Sequence, residues 1–377
     1  MYKEIKENLT QFGSHYDVGG QRFANIFQAF DKSIETGNFC YYNINQEWID
    51  VTESKTVKLI PNRETFQKLI LKKLISLRKN HNKLVLLYSG GTDSHTILKI
   101  ALKNNIFIDE IFISYPDIFN KEDCEMYNQE FFSALTFAEK HKKNIGKITI
   151  YNWKIEDYNF LNIKEWWKNP NYSFNKLKIQ PYWSNYASKI YKNLDGVVIT
   201  GHEKPNIKVS NGKFYWFTLD TQGTEHSVIK NSYPLFLDPE IVVHYSLLLK
   251  NLLKSNVEYL KKLNNEKYFF WGLEDSQIQK FYKSCGLFFN SKKSIEWVKK
   301  PSWTLLNYKN IAILRTLKEN HKELYNKILE QHQKIYDTYK LYDHMVYFDK
   351  KLVKPIDRYS QMFEITDNSL VCKGHNI

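Results

Sequence analysis

The chain has 377 residues, 42% of them hydrophobic, and a net charge of +13. This length is sufficient for a buried core and for two domains. No run of 18 apolar residues is present, which excludes a helix that spans a membrane, and the first ten residues lack the apolar segment of a secretory signal. The cysteines lack CxxC spacing, which argues against a zinc site of paired cysteines and predicts a cytoplasmic protein. They are Cys40, Cys124, Cys285 and Cys372.

The positive charge has two interpretations. It would attract nucleic acid or a polyanionic ligand such as ATP. It also follows from a general abundance of Lys, Asn, Ile and Tyr, because the basic residues are spread along the chain and form no tail.

Strands and helices are predicted to alternate through the first half of the chain. A hairpin is predicted in 39–51, followed by an amphipathic helix at 64–79. Predicted strands lie at 83–89, 109–116, 146–153 and 195–203, and predicted helices at 94–105, 120–141 and 181–194. This alternation is typical of a parallel sheet with crossover helices, and in such sheets ligands bind at the carboxyl ends of the strands.

The second half is predicted to be mostly helical. A helix begins at Asp238, further helical segments lie at 276–287 and 310–339, and the last thirty or so residues show no strong period. We therefore expect an N-terminal extension (1–60), an α/β domain (61–230) and a mainly helical C-terminal region (231–377).

One hexapeptide separates the first predicted strand from its helix. It lacks the lysine of a P-loop and the glycine spacing of a dinucleotide fingerprint. Glycines nevertheless let a backbone approach an anion closely, and a helix N-terminus attracts negative oxygens. A carboxylate within the loop makes most sense if Mg²⁺ lies between it and a phosphate; the ordinary alternative is a polar turn that caps a helix. The six residues are Ser89, Gly90, Gly91, Thr92, Asp93 and Ser94.

This hexapeptide resembles the SGGxDS signature of the PP-loop ATP pyrophosphatases, which include asparagine, GMP, NAD and argininosuccinate synthetases and enzymes that thiolate tRNA or form lysidine. The resemblance covers about residues 60–250 and implies an α/β fold of the adenine-nucleotide α-hydrolase (HUP-like) type. It also implies a reaction in which a substrate oxygen attacks the α-phosphorus of ATP and releases pyrophosphate. A nitrogen or sulfur nucleophile then displaces AMP from the adenylate.

The resemblance also implies residue roles. The six loop residues would hold the pyrophosphate, and Asp93 would act in catalysis by coordinating Mg²⁺. The end of the second strand, at Ile113, Ser114 and Tyr115, would lie beside the adenine. The implied cofactors are ATP and Mg²⁺.

Residues 233–253 resemble the asparagine synthetase segment in which Pro-Phe-Leu-Asp precedes an apolar helix. The matching residues are Phe236, Leu237, Asp238 and Glu240, with Pro234 displaced by one position. An Asp at the N-cap, a Pro after it and an acidic first turn are also ordinary helix-start chemistry.

The segment after the fourth strand matches only part of the asparagine synthetase motif at this place. Thr200 and Gly201 fit, Glu203 would supply a second metal ligand, and Lys204 would contact phosphate or remain exposed to solvent. His202, Lys204 and Pro205 depart from the motif.

Two aromatic and polar segments are candidates for substrate contacts. Asp220, Glu225 and His226 would line an acceptor pocket, or their segment would be a hairpin or surface loop. Trp166 and Trp167 would stack on a base or pack in the interior.

These features predict an asparagine synthetase-like ligase that forms an amide through an acyl-adenylate. A glutaminase nucleophile is not expected, because the chain starts Met1-Tyr2-Lys3 and no such domain fits before residue 60. An acid substrate would then combine with ammonia, an amine, or nitrogen from a partner protein. The alternatives are an RNA-modifying PP-loop enzyme, although nucleic acid is not the favoured partner, and a nucleotide-binding protein that has lost its chemistry. No membrane partner is expected.

Overall fold

The computed structural model describes residues 14–23, 25–44, 62–116, 125–168, 187, 189–201, 206–218, 231–257, 260, 283–288, 316–339, 356–357, 360–367 and 369–375. The strands are β1 (His15–Val18), β2 (Gln21–Phe23), β3 (Cys40–Asn43), β4 (Leu84–Leu87), β5 (Ile108–Pro116), β6 (Ile145–Trp153), β7 (Val197–Thr200), β8 (Asn206–Ser210), β9 (Lys213–Phe217), β10 (Ser232–Pro234), β11 (Ile356–Asp357), β12 (Met362–Ile365) and β13 (Leu370–Gly374). The α-helices are α1 (Ile26–Thr36), α2 (Arg63–Asn80), α3 (Thr92–Lys103), α4 (Glu125–Lys140), α5 (Pro239–Lys254) and α6 (Lys322–Tyr339). In this described part, no helix has both the length and the apolar character needed to cross a membrane.

A five-stranded parallel sheet forms the centre of the structure, in the order β10–β7–β4–β5–β6. The four strands predicted from the sequence are all present, and the short β10 is an addition at one edge. Every residue of β4 and β7 is buried, which explains why these strands are continuous apolar runs. The parallel sheet and its helices confirm the predicted α/β class.

The helices bury the apolar faces that their spacing predicts. In α2 the buried residues recur at intervals of three and four, and Asn62 caps the first turn by accepting a hydrogen bond from the amide of Thr65. This helix packs against α3 and α5, while α4 packs against β5 and β6. The buried residues of α2 are Phe66, Leu69, Ile70, Leu74 and Leu77.

A second sheet joins the two ends of the described chain, in the order β2–β1–β3–β11. The predicted hairpin at 39–51 is only partly described. Its first strand is β3, which pairs antiparallel with β1 and parallel with β11, and residues 45–51 lie outside the described residues.

A third sheet, β8–β9–β12–β13, pairs a central hairpin with the C-terminal strands. The hairpin turns at Asn211 and Gly212, whose φ values are +50° and +74°. Left-handed conformations at both positions match the twist of antiparallel strands, and Asn-Gly is the favoured sequence for them. The described part of residues 208–227 is therefore a hairpin, whereas Asp220, Glu225 and His226 lie outside the described residues.

The C-terminal region contains the expected helices, together with strands that the sequence analysis did not predict. The helix after Asp238 is confirmed as α5, and the helix predicted at 310–339 is observed as 316–320 and α6, separated at His321. Two of the other predicted helices are described only in part. In the helix predicted at 276–287, residues 283 and 284 are helical, and in the helix predicted at 181–194, residues 187, 189 and 190 are helical. Strands β11, β12 and β13 add to a region expected to be mainly helical. Lys250 of α5 donates hydrogen bonds of 2.8 Å to the carbonyls of Ile365 and Thr366, which anchors the end of β12.

Candidate nucleotide-binding site

The hexapeptide and the segment after β7 lie at one place in the central sheet. Strand β4 is the first strand of the central sheet in chain order. It pairs with β5 on one side and with β7 on the other, so the order of the strands reverses between β4 and β7. In open α/β sheets, the crevice at the carboxyl ends of two such strands is where ligands bind. Residues 89–94 follow β4, and Gly201 follows β7 directly.

The hexapeptide turns sharply from the strand into α3. Gly90 has a φ of +73°, which glycine adopts without the cost that a side chain would add. Gly91 is extended and occupies the N-cap position, and Thr92 begins the helix. A Cβ atom on Gly91 would lie 3.1 Å from the hydroxyl oxygen of Ser89, so the two glycines permit a compact loop.

The N-terminus of α3 differs from those of three other helices. Asn25, Asn62 and Asp238 each accept backbone hydrogen bonds at the start of α1, α2 and α5. No side chain caps α3, because its N-cap residue is a glycine. The positive end of the helix dipole is therefore not offset by a side-chain cap of its own, which favours an anion at this position.

Hydroxyl groups connect the two ends of the loop. Ser89 Oγ accepts a 3.2 Å hydrogen bond from the amide of Gly91 and lies 3.3 Å from Ser94 Oγ. Ser94 is buried and also accepts from the amide of Ser89 at 3.3 Å. Ser89 is exposed, so its hydroxyl can turn towards a ligand.

Asp93 is the carboxylate of the loop, and it lies in the first turn of α3 with its Oδ1 atom buried. Mg²⁺ in nucleotide sites is commonly held by one or two carboxylates together with substrate phosphates. A single carboxylate beside uncapped amides fits that arrangement. Among the described residues, no group of three His, Cys, Asp or Glu side chains could hold a metal without such phosphates.

Gly201 brings the two predicted segments into contact. A Cβ atom at this position would lie 2.6 Å from the amide nitrogen of Ser94 and 3.0 Å from the carbonyl carbon of Asp93. Only a glycine allows the end of β7 to lie this close to the first turn of α3. His202, Glu203, Lys204 and Pro205 follow Gly201 but lie outside the described residues, so the roles of Glu203 and Lys204 stay predictions.

The residues predicted to lie beside adenine are at the same edge of the sheet. Ile113 is buried and Ser114 is half-buried near the carboxyl end of β5, which is adjacent to β4. The amide of Tyr88 donates a 2.9 Å hydrogen bond to the carbonyl of Phe112, so the loop starts level with this part of β5. The structure thus groups Ile113 and Ser114 with the hexapeptide, and their contact with a nucleotide stays a prediction.

The tryptophans at 166 and 167 are interior residues. Trp166 and Trp167 are 5% and 1% exposed, and their rings meet edge to face with centroids 6.0 Å apart. The carbonyl of Trp167 accepts a 2.9 Å hydrogen bond from Asn25 Nδ2. Of the two alternatives, packing is correct and stacking on a base is wrong, because neither ring is accessible.

The Pro-Leu-Phe-Leu-Asp segment performs a structural role in the described fold. Asp238 is buried, accepts a 3.1 Å hydrogen bond from the amide of Glu240, and pairs with Lys73 at 2.6 Å. The hydroxyl of Tyr233 also donates to Asp238, and burial together with that carboxylate raises the pKa of Tyr233. These contacts account for Asp238 as the N-cap of α5.

Two residues that flank the hexapeptide were missed in the sequence. Tyr88 and His95 stand immediately before and after it, and the Tyr88 hydroxyl lies 2.9 Å from His95 Nδ1. Both are 1% exposed. The signal in the sequence was a polar aromatic residue directly on each side of the six-residue loop.

Comparison with known proteins gives partial structural likenesses. No family model and no curated protein matches the chain. One similar structure is NMN synthetase from Francisella tularensis, with 18% identity, a TM-score of 0.26, and coverage of 39% of this chain and 56% of that chain. Another is the U34-tRNA thiolase NcsA from Methanococcus maripaludis with its 4Fe–4S cluster, with 13% identity, a TM-score of 0.26, and coverage of 78% and 86%. The chain spans little more than half of the NMN synthetase, and TM-scores of this size carry no argument about function.

Proposed function

We propose that the protein binds ATP with Mg²⁺ at the hexapeptide and cleaves it between the α- and β-phosphates. The supporting observation is a helix N-terminus without a side-chain cap, reached through a left-handed glycine, at the point where the strand order reverses. Gly201 adds support, because it closes the crevice against the same helical turn. A turn that only started a helix would not require a second strand end to approach it this closely.

The loop residues have distinct roles in this proposal. The amides of the first turn of α3 bind the pyrophosphate oxygens, with hydroxyl groups from Ser89 and Thr92 as further donors. Asp93 holds Mg²⁺, which supplies positive charge to the phosphates as they separate. Ser114 and Ile113 flank the adenine, while Glu203 and Lys204 supply a second metal ligand and a cation near the α-phosphate.

The reaction in this proposal is the formation of an amide by an AMP-forming ligase. A carboxylate oxygen of an acid substrate attacks the α-phosphorus, and pyrophosphate leaves. Ammonia or an amine then attacks the acyl carbon, and AMP leaves. The nitrogen comes from solution or from a partner protein.

A second candidate is supported by the net charge of +13, which suits a polyanionic substrate such as tRNA. The chemistry at ATP would be the same, and the adenylated group would be a base or a related RNA atom. The buried positions of Trp166 and Trp167 count against this alternative, since neither ring can stack on a base.

The reaction can be tested by product analysis. Purified protein with ATP, Mg²⁺ and candidate acids should exchange labelled pyrophosphate into ATP and release AMP. Asp93→Asn should abolish both, whereas Asp195→Asn, which alters an exposed carboxylate bonded to Asn82 at the opposite end of the sheet, should abolish neither. Release of ADP and orthophosphate would refute the proposal, and salt-sensitive binding of tRNA with adenylation of the RNA would select the second candidate.

A further inference from the structure

The hexapeptide is bounded by a buried polar pair that takes no part in the proposed chemistry. Tyr88 is the residue before it and His95 the residue after it, and a 2.9 Å hydrogen bond joins the hydroxyl oxygen to Nδ1. At 1% exposure each, neither side chain reaches the crevice in which a nucleotide would lie.

Each member of the pair is fixed to a different part of the fold. The backbone amide of Tyr88 donates to the carbonyl of Phe112 in β5, at 2.9 Å. The amide of His95 donates to the carbonyl of Gly91 at 2.9 Å, which is the first bond of α3. The His95 ring also packs edge to face on Phe137 of α4, with centroids 4.5 Å apart. The hydrogen bond therefore ties the end of β4 to the start of α3, beneath the loop.

The bonds within the loop are weaker than this connection. The hydrogen bonds among Ser89, Gly91 and Ser94 measure 3.2–3.4 Å, at or beyond the long end of the usual range. Two consecutive glycines add conformational freedom. The distance between the ends of the loop is consequently set by the buried pair more than by the loop itself.

Stability alone does not explain a polar pair in this place. Replacing both partners of a buried hydrogen bond by apolar groups of similar shape is often neutral or stabilising, whereas removing one leaves the other unsatisfied. Both side chains are buried, and the ring of Phe137 packs on His95. Two apolar side chains would pack in the same space, but they would not fix the distance and direction between the end of β4 and the start of α3 as the hydrogen bond does.

We propose that Tyr88 and His95 are positioning residues that hold the hexapeptide in the geometry that binds the pyrophosphate part of ATP. The inference rests on the proposed function. Burial raises the pKa of the Tyr88 hydroxyl above its ordinary range, so the hydroxyl stays protonated well above neutral pH. The adenine site at the end of β5 does not depend on the pair.

The test compares two ligands that occupy different parts of the site. Calorimetry would measure the binding of inorganic pyrophosphate with Mg²⁺ and, separately, of adenosine. The double variant Tyr88→Phe/His95→Leu should fold with near wild-type thermal stability, yet bind pyrophosphate about five- to tenfold more weakly, which corresponds to the net contribution of one hydrogen bond. Its affinity for adenosine should be unchanged. His95→Gln, which can still bond to Tyr88, should recover most of the affinity for pyrophosphate.

A matched control removes a different buried tyrosine hydroxyl. Tyr191 donates a 2.8 Å hydrogen bond to Glu110 near the amino ends of the strands, so Tyr191→Phe should lower thermal stability and leave both affinities unchanged. Wild-type affinity for pyrophosphate in the double variant would overturn the positioning role while the proposed function stands. A wild-type protein that binds no pyrophosphate would overturn the proposed function, and the positioning role with it.

Discussion

Gly201→Ala provides the most direct test of the crevice between β7 and α3. The new Cβ atom would lie 2.6 Å from the amide nitrogen of Ser94 and 2.9 Å from its Cα atom. Both belong to the backbone, so no side chain can rotate away to make room. An ordinary contact needs about 3.4 Å, and the first turn of α3 must therefore move by roughly 0.8 Å or the end of β7 must retreat by the same amount.

The displacement can be converted into expected losses. Overpacking of this kind costs about 1–3 kcal/mol of stability. A shift of roughly 0.8 Å would lengthen a hydrogen bond of about 2.9 Å between an amide and a phosphate beyond the useful range. Losing one such bond to a charged group costs about 1.5–3 kcal/mol, so binding of pyrophosphate should weaken by about 10- to 150-fold.

Gly196→Ala is the matched control, because it overpacks the other end of the same strand. A Cβ atom there would collide with the carbonyl oxygen of Lys83 and lie 2.8 Å from its Cβ atom. Calorimetric titration with pyrophosphate and thermal unfolding should be measured for both variants. We expect both to be less stable and only Gly201→Ala to lose affinity. Equal affinities in the two variants would show that the first turn of α3 does not bind the ligand.

Three further outcomes are expected. Asp93→Asn should remove Mg²⁺-dependent ATP cleavage. The free energy of unfolding should change by less than about 1 kcal/mol, since Asp93 is not the N-cap of α3. A variant that melts early but keeps full turnover when folded would contradict the metal role. Burial alone would raise the pKa of Glu110, but hydrogen bonds from Lys83, Thr149 and Tyr191 lower it overall. The contribution of Glu110 to the free energy of unfolding is thus complete above the ordinary carboxyl pKa, and it is lost as the pH falls through the lowered pKa of the folded protein. Glu110→Gln should lower the free energy of unfolding by about 2 kcal/mol at pH 7 and should weaken its dependence on acid pH, as measured by urea unfolding. Burial lowers the pKa of His375 to about 4, so the unfolded chain takes up a proton at a higher pH than the folded protein does. The free energy of unfolding should therefore fall by about 1–2 kcal/mol between pH 6.5 and 4, after allowance for screening by solvent. The variant His375→Gln should lack this pH-dependent loss of stability.

The central sheet was predictable because its signals are local. A strand buried on both faces must be apolar at every position, and the run before Ser89 has no other simple interpretation at that length. The faces of α2 and the capping residue Asp238 are likewise determined by near neighbours in the chain. Such features need no knowledge of distant contacts.

The C-terminal strands depend on partners far away in sequence. In β12, Phe363 pairs with Trp216 and Glu364 with Tyr215, about 150 positions earlier. Four-residue strands of this kind carry little periodicity, and their stability comes from cross-strand pairs and from the anchoring by Lys250. Their absence from the sequence-based prediction therefore reflects long-range pairing.

The candidate site likewise combines features that are set by near neighbours in the chain with features that depend on distant contacts. The glycines and hydroxyl groups of the hexapeptide are visible in the sequence, because anion binding by a helix N-terminus requires small residues in consecutive positions. The close approach of Gly201 and the bond between Tyr88 and His95 are invisible there, because each depends on how two elements pack. Only the folded chain relates them to the loop.

Two aspartates at helix starts show how position separates a structural from a functional role. Asp238 occupies the N-cap of α5 and accepts the amide of Glu240, so its carboxylate is used by its own helix. Asp93 lies two residues beyond the N-cap of α3, which is Gly91 and offers no side-chain acceptor. A shift of two positions thus leaves the first-turn amides to a ligand and places a carboxylate beside them. An anion alone would be repelled by Asp93, so the arrangement favours an anion that arrives with a cation, as ATP does with Mg²⁺.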